Sequence, residues 1–155
     1  MKMTHVDKKG KASMVDITAK KSTHRLARAV GYIKTNAQVV SLISKNLMAK
    51  GDVFSVAQIA GILGAKQTPN LIPLCHPLLI TNAKININIA GKNRIAVRSE
   101  IACVGQTGPD VEALTAVALS CLTIYDMCKA VDKTMEIESI CLMEKRGGKT
   151  TYVRK

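Results

Sequence analysis

The chain has 155 residues, is strongly basic and is poor in aromatic side chains. It carries 23 Lys and Arg against 11 Asp and Glu, a formal net charge of +12, and 47% of its residues are hydrophobic. This composition predicts one domain over residues 1–155 with an aliphatic core, and it argues against a long disordered tract. The positive field predicts an anionic ligand, either a nucleic acid or a small phosphorylated substrate, although a solvated basic surface explains the charge equally well.

The patterns of the first half predict, in chain order, a loose N-terminal segment over 1–11, a short strand at 14–17 and a longer strand at 25–33. Two helices follow, one capped by Thr35-Asn36 and one capped by Asp52 that ends near Gly64. A proline-containing loop is predicted over 68–77. The strand at 25–33 alternates small or apolar residues with bulkier ones, which is the period of a β-strand. The two caps are residues whose side chains accept a hydrogen bond from the first helical turn.

The second half predicts a strand at 84–90, a turn at 91–93, a strand at 94–104, a helix from Asp110 to about Val131, a last strand at 135–145 and a flexible end over 150–155. With the second helix treated as an insertion, the order is the split β-α-β-β-α-β arrangement. We therefore expect an α+β fold of the ferredoxin-like class, with an antiparallel sheet, helices on one face and one extra helix.

Cysteine usage and the N-terminus bear on the compartment. The five cysteines include no Cys-x-x-Cys pair and no metal-like set with histidine, so we expect reduced thiols and no metal site. The first ten residues contain no apolar signal region, and no apolar run approaches the ~18 residues of a membrane span. We expect a cytoplasmic protein that does not bind membranes.

Three charged residues interrupt an apolar helix near its end. Asp126, Lys129 and Lys133 are spaced by three and then four residues, which stacks them on one helical face. Such a group can exchange protons and hold an anion, or it can be an ordinary salt bridge. The negative end of the helix raises the proton affinity of Asp126 while the lysines lower it, and the sequence does not decide which effect is larger.

The same helix carries Asp110 and Glu112 in its first turn. Their charges would repel phosphate, and they suit an N–H-rich group such as the edge of a guanine or pterin. Glu112 and Asp126 lie 14 residues apart, on nearly the same face but ~21 Å apart along the axis. They serve different parts of a large ligand, or a neighbouring subunit brings complementary groups between them.

Two loops carry further candidate groups. His76, between Pro73 and Pro77, is either a proton shuttle or phosphate donor or a solvent-exposed residue, while Cys75 lacks an activating base in the sequence. Gly147-Gly-Lys-Thr150 resembles the end of a P-loop, but Met143 stands where the first glycine belongs and no helix follows. We reject a P-loop, although the backbone amides of this glycine pair can approach a phosphate closely.

Seven blocks, in order from residue 14 to residue 149, resemble the molybdenum cofactor biosynthesis protein C (cyclic pyranopterin monophosphate synthase) family. They are Met14-Val-Asp16, Lys50-Gly-Asp-Val-Phe54, Ile59-Ala-Gly61, Leu71-Ile-Pro-Leu-Cys-His-Pro77, Glu112-Ala-Leu-Thr-Ala116, Leu122-Thr-Ile-Tyr-Asp-Met-Cys-Lys-Ala-Val131 and Lys145-Arg-Gly-Gly-Lys149. The fourth and sixth blocks are long and unusual in composition, which makes a chance match implausible.

This resemblance implies conversion of 3′,8-cyclo-7,8-dihydroguanosine triphosphate into cyclic pyranopterin monophosphate with release of diphosphate, a lyase reaction. It implies a ferredoxin-like fold assembled as a hexamer of dimers, with sites at the dimer interface. By matching position it assigns Asp126 as the catalytic acid/base, Lys129 as its proton-transfer partner and Lys50 as a third catalytic group. Substrate-binding positions are Leu74, Cys75, His76, Asp110, Val111, Glu112 and Lys145, with Arg25 and Lys149 as weaker matches.

The chain departs from the family at the first turn of the long helix, where Asp110-Val111-Glu112 replaces the usual Glu-Met-Glu. Asp110 is one methylene shorter than the usual acid, so contacts made by the longer side chain are in question. No redox cofactor or metal ligand set is required by these residues, while magnesium can accompany the triphosphate. The rival function is a basic RNA-binding domain of ferredoxin-like shape, although its strands lack the aromatic stacking motif of such modules.

Overall fold

Antiparallel pairing of the first long strand with two others organises the sheet. The computed structural model describes residues 10–155, and its elements are β1 (Thr23–Lys34), α1 (Ala37–Ser44), α2 (Val53–Leu71), β2 (Ile80–Ile89), β3 (Arg94–Gly105), α3 (Asp110–Cys128), β4 (Glu136–Arg146) and β5 (Tyr152–Val153). The strands pair antiparallel in the order β2-β3-β1-β4-β5. The inner order β2-β3-β1-β4 follows from the split β-α-β-β-α-β arrangement. The predicted α+β ferredoxin-like class is confirmed.

Small residues on β1 let α3 approach the centre of the sheet. Ala27, Ala29 and Ile33 are buried at alternate positions of the strand, as the period-two pattern predicted. Gly31 continues this row, and a Cβ there would come within 2.6 Å of the Val117 side chain on α3. The core therefore lies between the helix-bearing face of the sheet and α3.

The two predicted helix caps are present. The side chain of Asn36 accepts a hydrogen bond from the Val39 amide at 2.9 Å, and that of Asp52 accepts one from the Ser55 amide at 3.1 Å. These caps satisfy backbone donors that the helix cannot pair internally.

The predicted end of α2 near Gly64 is wrong, because the helix continues to Leu71 and contains Pro69. Gly64 is buried, and a Cβ there would contact the Leu119 side chain of α3. The glycine is thus used for close helix packing, and this tertiary contact outweighs its low helix propensity.

Two other predicted elements differ from the structure. The segment 14–17 is not a strand, and α3 ends at Cys128 rather than near Val131. The amides of Val131 and Asp132 both donate to the Cys128 carbonyl, at 2.9 and 3.2 Å, so the chain leaves the helix in a tight turn. Tyr152–Val153 pairs with β4, whereas the predicted loose segment 1–11 lies, except for residues 10–11, outside the described residues.

The helix α3 has the length and mean hydropathy of a membrane span, which the sequence analysis did not anticipate. Half of its most apolar window is buried within the fold. The helix packs against the sheet and against α2, where the Ser120 hydroxyl donates to the Ala57 carbonyl at 2.9 Å. Its apolar character is accounted for by this central position.

Candidate active site

Two lysines converge on Asp126 at the C-terminal end of α3. Lys50, in the turn between α1 and α2, places its Nζ 2.7 Å from Oδ2 of Asp126 and 3.0 Å from the backbone oxygen of the same residue. Lys129 places its Nζ 2.8 Å from Oδ1. The group lines a cavity of about 440 Å³ together with Tyr125, Ala130 and Lys133.

The lysines fix the charge of Asp126. Hydrogen bonds from Lys129 and then Lys50 lower the pKa of Asp126 to about 2, and the same pair raises the pKa of Lys129. The lysines therefore outweigh the unfavourable position of a carboxylate at the negative end of the helix. At neutral pH the site holds a carboxylate between two ammonium groups, and the side chains of Asp126 and Lys129 are each 52% exposed.

Lys133 also lines the Asp126 cavity, but it does so from the turn after α3 and not, as the sequence analysis expected, from the helix. Because α3 ends at Cys128, Lys133 is not part of the helical stack with Asp126 and Lys129. The turn that follows the helix nevertheless brings it to the cavity wall. Lys133 therefore lies near Asp126 and Lys129 as predicted, but the prediction that all three share one helix is wrong.

A buried carboxyl lies at the opposite end of α3. Glu112 is only 3% exposed, and burial raises its pKa to about 7. The negative charge of nearby Asp110 adds to this increase, while Lys145 opposes it. Near neutral pH the Glu112 carboxyl can be either a neutral donor or an anionic acceptor, which suits recognition of N–H and carbonyl groups.

The side chain of Lys145 extends from β4 to the first turn of α3. Its Nζ lies 2.7 Å from Oδ2 of Asp110, and both side chains are partly buried. The shorter acid at position 110 thus pairs with the cation that the resemblance places near the triphosphate. Nearby, burial raises the pKa of the Cys75 thiol, with contributions from the charges of Glu112 and Asp110. A neutral thiol agrees with the sequence interpretation that Cys75 is not a nucleophile.

The predicted substrate-binding residues at this end share one cavity of about 340 Å³. Its walls include Leu74, Cys75, His76, Asp110, Val111, Glu112 and Lys145. Residues far apart in the sequence, from the loop after α2, the first turn of α3 and the end of β4, therefore face a common space.

An adjoining cavity of about 910 Å³ contains the remaining predicted cations, Arg25 and Lys149, and shares Lys145 with the first. Nε of Arg25 donates to the Gly105 carbonyl at 2.8 Å, which fixes the guanidinium at the cavity wall. Gly147 has a φ of 86°, and a Cβ there would overlap the His24 carbonyl. Only glycine allows this loop to fold so closely over the beginning of β1.

A sequence model described as the MoaC family matches residues 14–148, most of the chain. The chain belongs to the MoaC family. The match spans all the candidate groups except Lys149.

Relatives of this MoaC protein share about half of its residues over nearly the full length. A protein of Desulfitobacterium hafniense is 52% identical over 152 residues, covering 98% of this chain and 93% of its own. One of Desulforamulus reducens is 51% identical over 148 residues (96% and 90%), and one of Listeria monocytogenes is 49% identical over 148 residues (96% and 92%). Each is named cyclic pyranopterin monophosphate synthase, so the MoaC chain belongs to a family of enzymes.

The candidate residues of the MoaC chain form two groups, not one. Asp126, Lys129 and Lys50 meet at the end of α3, whereas the residues around Glu112 and Lys145 lie at its beginning. The 14-residue separation of Glu112 and Asp126 on one continuous helix corresponds to ~21 Å. The individual roles of these residues in the MoaC chain remain predictions.

Several residues that line the cavities at the Glu112 end were missed by the sequence analysis, among them the adjacent cations Lys20 and Lys21. The adjacent lysines follow the Met14-Val-Asp16 block closely, which is the one signal that could have drawn attention to them. Nothing in their spacing predicts that the segment before β1 lies beside the loop before α3.

Proposed function

We propose that the chain is a cyclic pyranopterin monophosphate synthase. It converts 3′,8-cyclo-7,8-dihydroguanosine 5′-triphosphate into cyclic pyranopterin monophosphate and diphosphate, a lyase step in molybdenum cofactor biosynthesis. The observation that carries this proposal is that about half of the residues are identical, over nearly the full length, to those of proteins named as such synthases. The two groups of side chains supply the chemistry that the reaction needs.

Proton transfer is assigned to Asp126 and Lys129, with Lys50 as the third catalytic group. The 2.8 Å contact between Asp126 and Lys129 allows a proton to move between them, and Lys50 holds the other carboxylate oxygen. Asp126 raises the pKa of Lys129, so Lys129 is protonated at neutral pH and carries the proton of the pair. An exposed ion pair contributes little to stability, and fold stability alone therefore gives weak reason to gather these groups.

Recognition of the guanine-derived ring is assigned to Leu74, Cys75, His76, Val111 and Glu112. Their shared cavity is partly apolar and ends on a buried carboxyl. A carboxyl in such surroundings discriminates strongly between ligands that do and do not offer N–H groups, because an unpaired polar group in the pocket is costly.

The triphosphate is assigned to the cations of the adjoining cavity. Lys145, Arg25 and Lys149 line it, and the Gly147-Gly148 loop places backbone groups beside them. Fixed positive charges in a partly enclosed space stabilise the charge that develops as diphosphate leaves. Asp110 pairs with Lys145, so substrate phosphate competes with this carboxylate for the cation.

The active assembly is proposed to be a hexamer of dimers, with each site at a dimer interface. The ~21 Å between the two groups along α3 exceeds the reach of one direct contact. A neighbouring subunit would bring the Asp126 group of one chain towards the Glu112 group of another. The exposed apolar side chains of Ile59 and Leu63 on α2 and Leu122 on α3 are available for subunit contacts.

The RNA-binding alternative has less support. The four long strands contain a single aromatic residue, Tyr32, and the Arg94 guanidinium lies 3.9 Å from the centre of its ring. On the same sheet Arg28 is paired with Glu100 and Glu144. Stacking of bases would have to displace these contacts.

We further propose a cytoplasmic enzyme that needs no resident cofactor, with magnesium accompanying the triphosphate.

The test is a diphosphate-release assay with the enzymatically prepared cyclic intermediate. Wild-type protein should release diphosphate and form cyclic pyranopterin monophosphate, while GTP serves as the control substrate and should give neither product. An RNA binder would instead show no turnover and an affinity for RNA that falls steeply with salt. Absence of diphosphate release by folded wild-type protein would overturn the proposed function.

A further inference from the structure

Lys133 is an ammonium group in the Asp126 cavity with no assigned role. In the part of the chain that the structure describes, Lys129 takes Oδ1 of Asp126 and Lys50 takes Oδ2. Lys133 lines the same cavity without an ion pair or hydrogen bond among the described residues. Three ammonium groups therefore face one carboxylate, which leaves an excess of two positive charges in this space.

The turn that carries Lys133 is held firmly. The neighbouring Asp132 is 6% exposed, and its carboxylate accepts hydrogen bonds from the Thr35 hydroxyl (3.0 Å), the Asn36 amide (3.0 Å) and both the amide and the hydroxyl of Thr134 (2.9 and 2.7 Å). These bonds, led by those from Thr134, lower the pKa of Asp132. The residue before Lys133 is thus fastened to the N-terminus of α1, and the backbone of the turn is preorganised.

We propose that Lys133 binds a phosphate group of the substrate from the Asp126 cavity, which the proposed assembly brings beside the Lys145 group of a neighbouring subunit, and that Asp132 is the positioning residue for Lys133. This inference rests on the proposed function, which supplies a polyanionic substrate. A lysine ammonium is a compact charge suited to phosphate, and it is most effective when no carboxylate competes for it. Lys50 and Lys129 are both held by Asp126, whereas Lys133 is available.

Kinetics of three variants test the role of Lys133. Lys133→Ala should lower kcat/KM about ten-fold or more, chiefly by raising KM, because one charge-assisted contact to phosphate is lost. Lys133→Arg should recover most of this loss, since it keeps the charge. Lys84→Ala is the matched control, because this substitution also removes one exposed positive charge. Lys84 lies on β2 next to the buried Ile85, so its side chain is on the sheet face away from the helices.

Calorimetry with inorganic triphosphate separates this inference from the proposed function. Wild type and Lys84→Ala should bind it with similar affinity, and Lys133→Ala should bind it several-fold more weakly. If wild type turns over but Lys133→Ala keeps the wild-type KM and triphosphate affinity, the inference is wrong and the function stands. If wild type neither turns over nor binds triphosphate, both are wrong.

A double-mutant cycle tests the positioning role of Asp132. Asp132→Asn should raise KM in the wild-type background and change it little when Lys133 is already Ala, because its effect passes through Lys133. A purely structural role would lower stability equally in both backgrounds and leave the two effects on KM additive. Additive effects would therefore overturn the role of Asp132.

Discussion

At the scale of single residues, the pairing of Asp126 with two lysines leads to the first prediction. Asp126→Asn removes the negative charge that holds Lys129 and Lys50, and we expect turnover of the cyclic intermediate to fall by about 100-fold or more. The side chain is half exposed, so the midpoint of thermal unfolding should change little. Diphosphate release and a thermal melt measure the two effects.

The control for this variant is Glu136→Gln. Glu136 also forms an exposed ion pair, with Lys34 at 3.3 Å, but it lies on β4 outside both groups of candidate residues. It should keep wild-type turnover. Equal turnover by Asp126→Asn and wild type would show that the Asp126 cluster is an ordinary surface ion pair.

The buried carboxyl of Glu112 leads to a prediction about stability and pH. Its pKa is about 7 in the fold against an ordinary value of 4.5, so the folded protein binds the proton more tightly than the unfolded chain between these pH values. Wild type should therefore lose stability relative to Glu112→Gln as the pH rises from 4.5 to above 7. At 1.36 kcal/mol for each pH unit of difference, the loss is about 3 kcal/mol.

Urea unfolding of both proteins at pH 4.5 and pH 8 measures this difference. Glu136→Gln, which removes an exposed carboxylate, should follow wild type across the same range. Parallel curves for wild type and Glu112→Gln would mean that the fold does not penalise the charged form of Glu112.

The chemistry of single residues was predictable from the sequence only in part. The spacing of Asp126 and Lys129 on one helix predicted their contact, because residues three apart on a helix are neighbours. Nothing local predicted that Lys50 completes the group from 76 positions away, and only the family resemblance selected it. Lys129 is the largest cause of the lowered pKa of Asp126 and Lys50 is the next, so part of the shift comes from a residue that the local pattern does not contain.

At the scale of elements, the contact between α2 and α3 depends on two glycines that differ in their surroundings. A Cβ at Gly61 would overlap the Ser120 hydroxyl and come within 3.0 Å of the Ala116 backbone oxygen, whereas the atoms nearest to one at Gly64 belong to the Leu119 side chain. A side chain can move aside, but a backbone carbonyl in a packed helix cannot do so easily.

We therefore expect Gly61→Ala to be less stable than Gly64→Ala by about 1 to 3 kcal/mol. Both substitutions gain the same helix propensity, so the difference between them isolates the packing at the helix contact. Chemical denaturation of the two variants measures it. Equal stability would indicate that the helices separate readily at Gly61 and that their close approach is not needed.

The helices show where local sequence patterns stop being sufficient. Asn36 and Asp52 marked helix starts correctly, since capping is a local interaction between a side chain and the next turn. The end of α2 was missed because Gly64 was interpreted by its propensity, while its actual role is to admit Leu119. The end of α3 was missed because the buried Asp132, which fastens the following turn to α1, has partners nearly 100 positions away.

At the scale of the whole molecule, the order of elements was enough to predict the sheet topology. Connections in such folds follow few allowed paths, so the split β-α-β-β-α-β order fixed the neighbours of β1. The positive charge was less informative by itself. Part of it is paired on the open sheet, as at Arg28, and part lines the cavities near Lys145 and Lys133.

The proposed assembly leads to a prediction that one chain cannot satisfy alone. If each site combines the Asp126 group of one subunit with the Glu112 and Lys145 group of its partner, then Asp126→Asn and Lys145→Ala should each be inactive by themselves. Co-expressed at equal levels, they should form mixed dimers in half of the cases, and one of the two sites in each mixed dimer should contain only wild-type groups. Diphosphate release by the mixture should then recover to about a quarter of the wild-type rate.

The control for this experiment is co-expression of Asp126→Asn with Lys129→Ala, two changes within the same group. A mixed dimer of these variants has a damaged Asp126 group at both sites, so no recovery is expected. If the first mixture also stays inactive although mass spectrometry shows that mixed oligomers form, each chain must build its own site. The ~21 Å between Glu112 and Asp126 along α3 would then have to be spanned by the substrate within a single subunit.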